Sequence, residues 1–256
     1  MCELFGFCSA KQKDIRDYLK VFYGHSIHHP HGWGFMREND SEYEIFKETV
    51  RAADSDILSC IVSSTKPQKN TLAHIRLATV GAIKKENCHP YTGSDNMGRK
   101  WTLIHNGTIY SSKLLTKYLS QQSGDTDSER VFLYLLDEIN KAVSEKQGGN
   151  LSAKERFEII DKLVVSLSPR NKLNLMIFDG EVLYVHKNMK DTLYFKQDRN
   201  STLFSTLPLD DGEWKPYPMA QLCAFENGKK VFEGTKHNGV FVPNLEYINA
   251  LAAMNI

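Results

Sequence analysis

The chain has 256 residues, with 32 Lys and Arg against 31 Asp and Glu and a formal net charge of +1. So even a balance leaves no basic field for nucleic acid, and the longest apolar runs fall far short of a membrane span. No basic segment followed by a long apolar core opens the chain, so a secretory signal is not expected and a cytoplasmic address is.

In chain order, the first expected strand covers 2 to 8 and begins with Cys2, directly behind the initiator methionine. Removal of that methionine would leave a thiol nucleophile and an α-amine base on one residue. An amine of pKa about 8 can take the thiol proton at neutral pH. The plain alternative is a small residue that happens to follow the start. Helical periodicity over 13 to 22 leads into His25-Ser26-Ile27-His28-His29-Pro30-His31, a segment rich in imidazoles. These could ligate a transition metal, but no second ligand group stands at a recognisable metal spacing. The favoured reading is a loop of solvent-facing or hydrogen-bonded histidines, with no metal. Strands follow at 33 to 38 and 43 to 48, and a helix at 54 to 63.

The run 71 to 77 reads as a strand that delivers Arg76 to a sheet edge. The planar fork of a guanidinium matches a carboxylate through two parallel hydrogen bonds, which suits an amino-acid α-carboxylate. For a lone arginine the plain reading is a surface salt bridge. A further strand, 101 to 106, runs into His105-Asn106-Gly107. Asn-Gly also marks tight turns. Its functional reading is an oxyanion hole, in which the Asn106 amide and the Gly107 N–H face an oxygen that becomes negative and no Cβ blocks the approach.

A helix is expected at 111 to 121, and the loop Ser123-Gly124-Asp125-Thr126-Asp127-Ser128-Glu129 opens another at 127 to 143. Thr126 or Asp125 would cap that helix. A carboxylate left free at the same loop could hold a substrate ammonium, and the two roles are compatible. Glu145 to Asn150 reads as a loop inside a domain, followed by a helix at 153 to 167 and strands at 172 to 178, 181 to 186, 201 to 206 and 221 to 226. Strand groups separated by helix groups argue for an α+β fold with mixed antiparallel packing. With no linker and no repeat, residues 1 to 256 are expected to form a single domain. Residues 130 to 256 read mainly as scaffold.

The cysteines at 2, 8, 60, 88 and 223 show neither a disulfide framework nor a CxxC pattern. Cys8 shares a strand face with Cys2, which would put two thiols along one edge. Cys8 and Cys60 are expected as small buried filler, and Cys88, beside His89, nearer to the site.

Taken together, Met1-Cys2-Glu3-Leu4, His31-Gly32-Trp33-Gly34-Phe35, Ala73-His74-Ile75-Arg76, Asn87-Cys88-His89-Pro90-Tyr91, His105-Asn106-Gly107 and Gly124 to Glu129 occur in one order. A weaker match continues into Ser205-Thr206-Leu207-Pro208-Leu209. The set resembles the class II, N-terminal-nucleophile glutamine amidotransferases, most of all their stand-alone YafJ-type members. That resemblance implies a four-layer αββα sandwich. It implies Cys2 as nucleophile with its own amine as base, Asn106 and Gly107 as the oxyanion hole, and Arg76 on the substrate α-carboxylate with help from Thr79 and Val80. Asp127 would hold the α-ammonium, and no metal or cofactor would be needed.

The implied reaction is hydrolysis of the glutamine γ-carboxamide through a γ-glutamyl thioester on Cys2, releasing glutamate and ammonia. No GxxxxGK[ST] phosphate loop accompanies the domain. Two outcomes are therefore expected: a separate synthase subunit accepts the ammonia, or the substrate is another γ-glutamyl amide or peptide and hydrolysis is the whole reaction. Outside catalysis, the same residues could serve a regulatory subunit that binds a γ-glutamyl ligand without turnover. Neither nucleic acid nor membrane is expected as a partner.

Overall fold

The computed structural model describes residues 2–39, 42–110, 112–146 and 149–243. Met1, residue 111 at the start of the expected 111 to 121 helix, and the middle of the 145 to 150 spacer lie outside them.

In chain order the elements are β1 (Glu3–Lys13), α1 (Arg16–Gly24), β2 (Trp33–Asn39), β3 (Glu42–Glu48), α2 (Asp56–Ser64), β4 (Gln68–Ile75), β5 (Tyr91–Ser94) and β6 (Lys100–Thr108). They continue with α3 (Asp127–Glu145), α4 (Ala153–Leu167), β7 (Lys172–Phe178), β8 (Leu183–His186), β9 (Tyr194–Gln197) and β10 (Ser201–Ser205). The last are β11 (Lys215–Pro216), β12 (Cys223–Glu226) and β13 (Lys229–Glu233). The expected helix at 111 to 121 is a 3-10 run over Lys113–Ser120.

Two antiparallel sheets face each other. One has the order β11-β9-β10-β1-β4-β2-β3 and the other β13-β12-β8-β7-β6-β5. The strand period of two sorts the side chains into layers. From β1, Leu4 and Cys8 enter the inter-sheet core with Met36, Leu72, Ile104 and Met176. Phe5 and Phe7 point the other way and pack with Leu19 and Phe22 of α1 and Leu58 and Val62 of α2. On the far side, Trp101, Leu103, Leu175 and Ile177 meet Val131 and Leu135 of α3 and Ile160 and Val164 of α4. The result is the four-layer αββα sandwich.

The starts of α2 and α4 are set by side-chain caps. The Ser55 hydroxyl accepts from Leu58 N at 3.0 Å, and Ser152 with Glu155 forms a reciprocal capping box on α4.

Three local expectations change. Arg76 and Cys2 do not sit on a sheet edge, because β1 lies between β10 and β4, and β4 lies between β1 and β2. Cys8 therefore belongs to an interior strand, and Cys2 stands immediately before it. Cys60 is exposed rather than buried filler, since it falls on the outward side of α2, whereas Cys8 and Cys88 are buried.

Candidate active site

The inter-sheet layer is apolar along most of its length but turns polar at one end. There, His74 follows Leu72 on β4, Asn106 follows Ile104 on β6, and Asn174 and Lys172 continue the face of Met176 on β7. A sandwich core would exclude these groups unless hydrogen bonds or a ligand satisfied them.

Cys2 stands at this end, immediately before β1, and is half-buried. Its Sγ accepts from Leu77 N and donates to Leu77 O, both at 3.3 Å. The thiol is thereby fixed beside the turn that follows Arg76. Arg76 is 3 % exposed. Its terminal nitrogens donate to Ala82 O at 3.1 Å and to Val80 O and Gly81 O at 3.2 Å each. The guanidinium thus organises the 80–82 loop, and the Val80 carbonyl is engaged by Arg76 itself, while Thr79 is exposed on the same turn.

That loop is held in turn by Asp125, whose Oδ1 accepts from Ala82 N at 3.1 Å. Asn87 bridges the same two segments, donating to Ala82 O at 2.8 Å and accepting from Asp125 N at 2.9 Å. With Asp125 so occupied, the cap of α3 falls to Thr126, which accepts from Glu129 N at 3.2 Å. Asp127 begins the helix, buried, with Oδ2 accepting from Ile109 N at 2.6 Å.

Asn106 is 1 % exposed. Its Oδ1 accepts from Lys172 Nζ at 2.8 Å, and its Nδ2 has no hydrogen-bond partner among the described residues. Gly107 follows where a side chain is excluded: a Cβ would lie 2.0 Å from Lys172 O and 2.2 Å from His105 Nε2. His105 lies on the opposite face, with Nδ1 at 2.9 Å from Ser128 Oγ and Nε2 at 3.3 Å from Lys172 O. It joins β6 and β7 to the start of α3, as a structural neighbour of Asn106. Burial holds the His105 imidazole below its ordinary pKa, so a neutral ring is favoured.

The contacts run from Cys2 to Leu77, from Arg76 to the 80–82 loop and from that loop to Asp125, with Asp127 on Ile109 and Asn106 on Lys172 beside them. A thiol, an amide N–H without a partner among the described residues, a guanidinium and a carboxylate stand at one end of the sandwich.

The histidine-rich segment also belongs here. His25 Nδ1 lies 2.9 Å from Glu3 Oε2 and His29 Nε2 lies 3.9 Å from Glu3 Oε1, while Ala78 N donates to His31 Nδ1 at 2.9 Å. The segment braces residues 3 and 78 on either side of the thiol. Glu3 raises the His25 pKa through that hydrogen bond. Among the described residues no group of three or more His, Cys, Asp and Glu could hold a metal ion.

The family model for class-II glutamine amidotransferases matches residues 1–199. The chain belongs to that family. It is similar to the putative glutamine amidotransferase YafJ of Escherichia coli (strain K12), 29% identical over 189 residues that make up 73% of this chain and 72% of YafJ. In fold it matches the crystal structure of a predicted glutamine amidotransferase from Pseudomonas aeruginosa PA01, with a TM-score of 0.66 and 19% identity over 90% of this chain and 100% of that one. It also matches glutamine phosphoribosylpyrophosphate amidotransferase from B. subtilis, with a TM-score of 0.64 and 15% identity over 90% of this chain and 48% of that one.

The amidotransferase is thus an enzyme of a family that acts on the amide of glutamine. Two features of its site escape sequence reasoning. The Leu77 main chain that holds the thiol carries no side-chain signal. Lys172 sits in the part of the chain that reads as scaffold. Its only trace is a polar alternation, Lys172-Leu173-Asn174, at the head of an otherwise apolar strand.

Proposed function

We propose that this amidotransferase hydrolyses the γ-carboxamide of glutamine through a γ-glutamyl thioester on Cys2. The observation that carries the reading is the buried, unpartnered Asn106 Nδ2 next to a glycine that admits no side chain, at the end of the fold where the Cys2 thiol is fixed. A buried N–H without a partner is costly. A tetrahedral oxyanion would satisfy it, joined there by the Gly107 N–H.

Removal of Met1 gives Cys2 a free amine. That amine takes the thiol proton, Sγ attacks the amide carbon, and the carbonyl electron pair moves to oxygen under Asn106 and Gly107. On collapse the C–N bond breaks and the protonated amine returns its proton to the departing ammonia. Water then attacks the thioester, releasing glutamate and restoring the thiol. Arg76 and Asp127 provide the opposite charges that a free amino acid needs at its α-carboxylate and α-ammonium, with Thr79 and Val80 completing the carboxylate side. The ammonia is released to solvent or to a separate acceptor subunit.

Glutamate release from glutamine by protein lacking Met1 tests the reading. The Cys2→Ala variant is expected to lose turnover to the background rate; equal rates for the two proteins would end it. Intact mass identifies the processed species in the same sample.

A further inference from the structure

Lys172 is the one charged side chain on the inner face of β7, and it is 2 % exposed. Burial pushes its ammonium pKa down to about 7, against the opposing pull of the Cys2 charge. An apolar residue at the head of this strand would avoid that cost. The lysine is instead tied to the oxyanion strand twice. Its Nζ donates to Asn106 Oδ1 at 2.8 Å, and its carbonyl lies 3.3 Å from His105 Nε2. The side chain reaches diagonally across the ladder, where Lys172 pairs with Thr108 and Asn174 with Asn106.

A carboxamide has two ends of nearly equal size, and which one faces the site depends on its partners. An ammonium only donates, so in its charged form Lys172 can hold only the oxygen end. Nδ2 is then the end left for a ligand, and it is the atom without a partner among the described residues.

We propose that Lys172 is the positioning residue of the oxyanion hole: by holding Asn106 Oδ1 it keeps the Nδ2 donor turned toward the reacting oxygen. The assignment rests on the glutamine-hydrolysis reading above, and it adds to it a residue that acts through Asn106 rather than on substrate. Without Lys172 the amide can turn over, and the hole then presents a lone pair to a developing negative charge. Ground-state binding through Arg76 and Asp127 would be untouched.

A mutant cycle with Lys172→Met and Asn106→Ala tests this. Loss of one oxyanion donor costs roughly 10²–10³ in kcat. Asn106→Ala is expected to fall in that range, and Lys172→Met to lower kcat by about 10²-fold with KM changed less than about threefold. Because one residue acts through the other, the double variant should lie within about threefold of Asn106→Ala. Losses that multiply in the double variant, or a Lys172→Met kcat within about threefold of wild type, would overturn the proposal.

A second measurement keeps the test open if Lys172→Met does not fold. In the wild-type protein the side-chain amide resonances of Asn106, identified by their absence in Asn106→Ala, should move with pH as the Lys172 ammonium that donates to Oδ1 loses its proton, below the ordinary lysine range. Among the described residues, Cys2 and His105 are titratable groups whose charges interact with Lys172. The shift must therefore persist in Cys2→Ala and in His105→Gln; Asn106 amide resonances there that stay put at every pH at which the protein remains folded and Lys172 changes charge overturn the contact. Failure of the functional reading looks different: wild type and Cys2→Ala would release glutamate equally, whatever the Asn106 resonances do.

Discussion

At the residue scale, the sharpest demand is at Gly107. A methyl group there would stand 2.0 Å from a main-chain oxygen on the neighbouring strand, which no side-chain adjustment relieves. The end of β6 must move, and it carries both the Asn106 amide and the Gly107 N–H. Misplacing an oxyanion donor costs about as much as removing it. Gly107→Ala is therefore expected to lower kcat by roughly 10²-fold or more while circular dichroism stays native. Gly24, at the end of α1, is the natural comparison, since a Cβ there meets nothing within 4 Å. Gly24→Ala should keep full activity and gain about 0.4–1 kcal/mol from reduced freedom of the unfolded chain. If both variants turned over glutamine at the wild-type rate, Gly107 would have no part in the hole.

At the scale of elements, α3 and α4 begin alike but stand at different distances from the chemistry. Thr126 caps α3 and its hydroxyl also lies 2.6 Å from Tyr91 Oη, so it ties the helix start to β5. Ser152 caps α4 on the outer layer, with Glu155 completing the box. Either cap replaced by Ala should cost about 1 kcal/mol, read from urea midpoints. If Asp127 holds the α-ammonium as proposed, only Thr126→Ala should also raise KM for glutamine, because Asp127 is the next residue and its carboxylate is set by that helix start. An unchanged KM would separate Asp127 from substrate binding. Both helices are legible in the sequence, because their caps and apolar periods agree; the long strands β1, β2, β6 and β7 are legible through their alternation. The strands β5, β9, β11 and β13 are not. They are two to five residues long, and pairing at or near sheet margins rather than an internal pattern makes them strands. The candidate site divides the same way. Cys2, Arg76, Asn106 and Asp127 each close or open a patterned element, whereas Lys172 becomes visible only when strands whose contact partners lie 66 residues apart are laid side by side.

At the scale of the whole molecule, the polar end of the sandwich makes stability depend on acid. His74 and His186 are fully buried, and burial holds both imidazoles down at about 3. His89 is buried against the His74 ring with centroids 4.1 Å apart, and its pKa too is held well below the ordinary value. In the unfolded chain a histidine takes its proton near 6.5. The folded-state values are depressed, so the unfolded state binds more protons between about 6.5 and 3, and stability is present above that window and lost as pH falls through it. With His74 and His186 alone, the fall is about 2.7 kcal/mol per pH unit once both are protonated in the unfolded state. Carboxylates reach their unfolded-state pKa only near 4, so the loss between pH 6.5 and 5 is a histidine signature. Urea unfolding followed by fluorescence of the buried Trp33 and Trp101 should show the midpoint dropping over that interval, and His186→Gln should remove part of the drop without touching the thiol site. A midpoint constant from pH 7 to 5 would mean that these rings take up protons in the folded enzyme, and that the surroundings of His74 between the sheets and of His186 on the helix-facing side of β8 are far wetter than their burial indicates.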